Sequence, residues 1–228
     1  MTAINLDTLV LGKGSHPCSD GACLMEARAL LLGRPKSDSC PPGTSPLLHS
    51  FGISLNDAFG DDRRQELKRF LPKDGVDPLD GTADDGQDEA RSYLALDWLI
   101  RTYTPAFLDL RPELADVAAE LRGLRRIVDL AAAQSAGPVV LAAREKSYAA
   151  RAAAGAAARA AAGDAARAAA GDAAGDAARA AARAAAGDAA RAAAWAAAWA
   201  ALQPTVDQIQ TSAIELYAAM INPAAVAA

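Results

Sequence analysis

His16, Cys18, Cys23, Glu26, Cys40 and His49 lie within 34 residues of one another near the N-terminus. Thiolate sulfur and imidazole nitrogen are the donors a tetrahedral zinc ion selects. Cys18-x4-Cys23 followed by Cys40-x8-His49 could supply four of them, with His16 as a further candidate. The spacing is looser than the close pairs of structural zinc sites. The same residues could serve a thiol enzyme if the fold set Cys23 or Cys40 beside a base, His16 or His49. Against both readings, Cys23 opens an apolar helix face, where cysteine most often acts as a small hydrophobe. Gly12-Lys13-Gly14-Ser15 echoes a phosphate-binding loop, but the GxxxxGK[ST] spacing is absent.

These side chains need elements to hold them. Residues 3 to 11, AINLDTLVL, alternate loosely and suit a short strand or hairpin arm ended by Gly12 and Gly14. Asp20 can cap a helix through Cys23, Leu24, Ala27, Leu30 and Leu31, with Gly33 as its stop. The loop RPKSDSCPPGTSP carries Cys40. Ser45-Pro46 combines an N-cap with a first-turn proline, so a helix carrying Leu47, Leu48, Phe51 and Leu55 on one face starts there. Another helix runs from Asp61 or Asp62 to Leu71. Between Lys73 and Glu89, Asp74, Asp77, Asp80, Asp84, Asp85, Asp88 and Glu89 sit among Gly and Pro, which predicts a solvated linker. The alternating acids and central glycine of a calcium loop are absent.

Leu96, Leu99, Ile100 and Tyr103 keep helical spacing, as do Leu114, Val117, Ala118 and Leu121, predicting two core-facing stripes punctuated by Pro105 and Pro112. A further helix through Ile127, Val128 and Ala131 should end near Gly137 and Pro138.

From Ala149 to Leu202 the chain is mostly alanine, with Arg, Gly or Trp marking every fourth residue. A helix advances about 100° per residue, so each four-residue step overshoots a turn by roughly 40° and the marked stripe winds around the rod. No fixed polar face results. Alanine outweighs the cost of about 1 kcal/mol at each interior glycine, which predicts one helix from Val139 to Gln203. The rival reading takes each Gly-Asp pair as a stop followed by a new cap. Trp195, Trp199 and Leu202 share a local face at i, i+4 and i+7 and are candidate interaction residues. Pro204 then resets the chain before a last helix through Val206, Ile209, Ala213, Leu216 and Met220.

The expected fold is all-α in three parts. Residues 1–137 form a helical module with a short β arm, 138–203 an Ala-rich helix, and 204–228 a C-terminal return helix and tail. A net charge of −5 argues against a nucleic-acid binder, which needs a clustered basic surface. The opening MTAINLDTLVLG lacks a signal-peptide pattern, and no long uninterrupted apolar run suggests a membrane span, so a cytoplasmic location is expected. Three cysteines, an odd number, fit reduced thiols.

The stretches GSHPCSDGACLMEARALLLG, SDSCPPGTSP, SLNDAF and LALDWLIRTYTPAFLDL resemble a group of bacterial and phage-borne proteins. The resemblance covers most of the chain. It implies a compact N-terminal module joined to Ala-rich repeats of variable length, and brings no activity, cofactor or catalytic residue. The Arg- and Trp-marked repeats are also similar to stretches of immunity proteins. The first expectation is therefore a non-enzymatic helical interaction or scaffold protein without a cofactor, whose rod mediates self-association or contact with a protein partner. The alternatives are a zinc-binding or thiol-dependent module at the N-terminal cluster and, from family context, a phage accessory factor acting on host defence.

Overall fold

Helix starts and stops are set by local signals. The computed structural model describes residues 6, 8–14, 21–171 and 200–225, with the backbone alone for 154–171. Among these residues helices prevail and no strand forms, so the fold is all-α. The chain divides into two units. Unit 1 comprises Met1–Leu99, Arg126–Ala133 and Gln210–Ala228, and unit 2 comprises Ile100–Arg125 and Gln134–Ile209. This spatial division is discontinuous, whereas composition divides the chain at 137 and 203.

In unit 1, helix α1 (Leu24–Leu31) starts at Cys23, whose backbone N–H donates to Glu26 Oε2 at 2.8 Å. That is half of a capping box, so the cap is Cys23; Asp20 lies outside the described residues. Gly33, at φ +69°, ends α1 as expected. Its N–H reaches Leu30 O at 3.0 Å and that of Arg34 reaches Ala29 O at 2.9 Å, a Schellman pair that satisfies the last carbonyls. Helix α2 (Pro46–Ala58) starts at Ser45, whose Oγ accepts from Leu48 N–H at 3.3 Å. Helix α3 (Asp61–Gln65) continues as a 3-10 turn, Glu66–Phe70.

The core of unit 1 gathers Leu24, Leu48, Leu67, Leu79, Tyr217 and Met220, the last two from helical residues 200–221. Gly52 of α2 makes the approach possible. A Cβ there would stand 2.4 Å from Met25 Cε and 2.7 Å from Tyr217 Oη. The expected β arm does not form among the described residues, where Leu11 keeps one isolated parallel bridge to Ala22. Its N–H and C=O instead pair with the side-chain amide of Gln65 at 2.9 and 3.0 Å, which does the work of a neighbouring strand.

Three buried arginines hold the loops of this unit. Arg64 donates to Asn56 O and Phe59 O at the end of α2 and to Asp61. Arg28 forks onto Asp77, with Nε 3.0 Å from Oδ1 and Nη2 2.6 Å from Oδ2, and donates to Thr44 Oγ1 at 2.9 Å. Arg91, on helix α4 (Asp88–Trp98), is 0% exposed. It donates to Met220 O at 2.9 Å, to Thr82 O at 3.1 Å, to Asp88 Oδ1 at 2.9 Å and to Asp85.

The stretch from Lys73 to Glu89 is therefore no solvated linker. Asp77, Asp85 and Asp88 are counter-ions of buried guanidinium groups, and Leu79 and Thr82 are themselves buried. Thr82 Oγ1 accepts from Ser45 N–H at 2.9 Å and donates to Leu79 O at 2.8 Å. Composition predicted solvation because it cannot register that three of the seven acids have a buried cation to meet.

After α4 the chain makes a π-helical turn, Leu99–Tyr103, and passes into α5 (Thr104–Leu108). Pro105 lacks an N–H, and the wider turn before it relieves the clash with the preceding turn, so the helix runs on. The turn also breaks the predicted stripe: Leu99 and Tyr103 are exposed rather than core-facing. In unit 2, the second stripe holds. Leu114, Val117 and Leu121, the last two on α6 (Ala115–Arg122), pack with Ala143, Val139 and Val140.

Helix α7 (Leu130–Gly171) starts after Asp129, whose Oδ1 accepts from Ala132 N–H at 2.7 Å. Ile127 and Val128 thus precede a helix instead of lying in one. The expected end at Gly137 and Pro138 is also overturned, because packing of Val139 and Val140 and the alanine-rich continuation carry the helix through. Gly163-Asp164 lies inside α7 without breaking it, while the later Gly-Asp pairs fall outside the described residues. Pro204 does not reset the chain either. Residues 200–203 are already helical, and burial of Ala213, Ile214, Tyr217 and Met220 holds the helix beyond (200–221, α8).

Two variants test this packing. Arg91→Ala leaves two buried carbonyls and two acids without their donor and should cost about 3–5 kcal/mol, read as a lower urea midpoint with unchanged helical content before the transition. Gly52→Ala should cost about 1–3 kcal/mol by overpacking, measured the same way.

Candidate functional site

The 34–42 segment returns from the Schellman turn of α1 along the same helix and leaves a cleft of about 250 Å³. Its apolar wall is Met25, Ala29 and Leu32 of α1 facing Pro35, Pro41 and Pro42. The three prolines fix φ on the loop side. Further ties hold the loop: Lys36 Nζ donates to Gly21 O at 2.6 Å and Thr44 N–H to Pro41 O at 3.2 Å.

Polar groups reach the cleft from Arg28, Arg34, Ser37, Ser39 and Cys40. Asp77 and Thr44 take the Nε and Nη2 edge of Arg28 and fix the orientation of its guanidinium, leaving Nη1 without a partner among the described residues. Arg34 is exposed and makes no ion pair among the described residues. Among the described residues no acidic side chain lines the cleft. The Cys40 thiol lies 3.5 Å from Thr44 O, and partial burial raises its pKa, so it stays a thiol at neutral pH.

The other sequence candidates are scattered. Cys23 is buried at the start of α1, where burial first and the Glu26 carboxylate second push its thiol up. His49 is buried on α2 with Nε2 unpartnered, and burial, aided by the Arg28 charge, lowers its pKa. No hydrogen bond joins a cysteine to a histidine among the described residues, and no three His, Cys, Asp or Glu side chains there are grouped to hold a metal ion. His16, Cys18, Trp195 and Trp199 lie outside the described residues, and Leu202 is half-buried. Arg28 and Arg34, which build the cleft, were invisible as a pair in the sequence; its visible trace is the glycine stop followed by a proline-rich loop.

Unit 2 presents a different surface. Tyr103, Phe107 and Leu110 are 36%, 36% and 37% exposed, and the rings of Tyr103 and Phe107 stand 4.9 Å apart. On α7, Leu141 and Tyr148 are also exposed, with the Arg144 guanidinium 5.5 Å over the Tyr148 ring. Among the described residues no helix is long and apolar enough to cross a membrane.

No protein-family model matches the chain, and no curated protein or solved structure matches it. The chemistry therefore rests on its own geometry.

His49 gives a pH test. Its pKa in the folded chain is below the unfolded value of about 6.5, so the unfolded state binds more protons between those two values and stability is lost as pH is lowered through that window. Urea midpoints taken from about pH 7.5 down to about pH 5.5 should fall in the wild type and fall less in His49→Gln. Parallel slopes would place His49 in contact with water.

Proposed function

We propose that the chain is a non-enzymatic helical interaction protein that associates with a second copy of itself through the Tyr103, Phe107 and Leu110 surface of unit 2. The observation that carries this reading is the exposure of these three large apolar side chains at successive four- and three-residue steps. Aromatic rings of this kind are enriched at interfaces because they bury much area at little entropic cost.

Charge favours a second copy as the occupant. Within Ile100–Arg125, Arg101, Arg111, Arg122 and Arg125 are balanced by Asp109, Glu113, Asp116 and Glu120, so two such surfaces meet without net repulsion. Some of these charges are already engaged side by side, Arg122 with Asp109 and Arg111 with Glu113, which leaves the apolar groups to drive contact. A surface built on three half-exposed side chains supports weak association, at the small end of specific interfaces.

Sedimentation velocity over a concentration series is the test. Weight-average mass should rise with concentration in the wild type and stay at the monomer value in Leu110→Asp, with identical circular dichroism. A wild-type monomer at every concentration up to the solubility limit would refute the reading.

A further inference from the structure

We propose that the cleft between α1 and the 34–42 loop is a binding site for a small organic oxyanion, a carboxylate or phosphate carried on a short apolar body. The inference is independent of self-association, since every group it uses belongs to unit 1.

Arg28 is the fixed group of the cleft. Its side chain is 4% exposed, and such a buried charge is held only by good partners. Asp77 supplies a forked pair and Thr44 a third bond, so the group is locked in one orientation with its Nη1 donors left over on the edge that remains. A rigid donor with spare N–H groups suits a planar or tetrahedral oxyanion, because no side-chain freedom is lost when the ligand arrives.

Net charge decides the sign of the ligand. Asp77 neutralises Arg28, and among the described residues Arg34 at the cleft has no counter-ion and no acid lines the cavity. One uncompensated cation therefore lines a small volume together with Ser37 and Ser39, the Ser37 hydroxyl accepting from Ser39 N–H at 3.1 Å. An anion gains from this arrangement, and a cation meets only repulsion.

Shape decides the rest. Leu32, Ala29 and Met25 on one side and three prolines on the other leave an apolar body in contact with carbon, not water. At about 250 Å³ the cleft is slightly smaller than pockets for drug-sized ligands, so the ligand is small. The prolines and the Schellman turn also keep the walls preformed, which limits the ordering cost of binding.

The test uses the full chain with benzoate, phenyl phosphate and inorganic phosphate as probes, followed by amide chemical shifts and isothermal titration. Binding of at least one of the two aromatic anions, with shifts confined to residues 25–44, is expected. Arg34→Glu, an exposed substitution that leaves the core intact, should weaken that binding at least tenfold. The bound probe should also slow iodoacetamide labelling of Cys40, quantified on its peptide by mass spectrometry. Which aromatic anion binds better separates carboxylate from phosphate. Inorganic phosphate binding as tightly as phenyl phosphate would overturn the apolar half of the proposal. Unchanged affinity in Arg34→Glu, or no binding by either aromatic anion, would overturn the site.

Discussion

Arg91 is the constraint on which unit 1 depends. A guanidinium with 0% exposure has lost its hydration, and only a full set of acceptors makes that tolerable. The acceptors come from three places in the sequence: Asp85 and Thr82 in the acidic loop, Asp88 in the first turn of α4, and the carbonyl of Met220 near the end of α8. Asp88 also accepts from the Ser45 hydroxyl at 2.6 Å, so the start of α2 is tied to the same group. One side chain thus joins elements 129 residues apart.

Arg28 and Arg64 repeat the device on a smaller scale. Arg64 closes the end of α2 on carbonyls that the helix terminus would otherwise leave to water. Arg28 crosses from α1 to Asp77 and Thr44 and also lines the cleft. The packing that stabilises unit 1 and the chemistry of its cavity are consequences of the same placement of charge. Unit 2 is held differently, by Leu114, Val117 and Leu121 against the apolar face of α7.

Much of the helical framework was legible because its signals are local. Ser45-Pro46 and Gly33 act through the nearest backbone groups, and each does what its type predicts. Pro138 and Pro204 were misleading for the opposite reason: whether proline stops a helix depends on the packing after it. The acidic stretch was misread because the partners of Asp77 and Asp85 cannot be told from surface arginines by composition. For the site, Cys23 sits where its apolar helix face suggested, while the cleft depends on Arg28 being turned inward by a residue 49 positions away. Spacing carries no trace of that.

Buried arginines, through Asp77, Asp85 and Asp88, anchor residues 77–88 to the folded core. Native-state hydrogen exchange tests it most directly. The amide of Leu79 is bonded to Asp77 Oδ1 at 3.2 Å, that of Ala83 to Gly43 O at 3.2 Å and that of Arg91 to Gln87 O at 2.9 Å. The account predicts that these amides exchange far more slowly than in an unstructured peptide and are protected together with the Tyr217 and Met220 region of α8. Exchange of 77–89 at the rate of free peptide, while α2 and α8 remain protected, would contradict it.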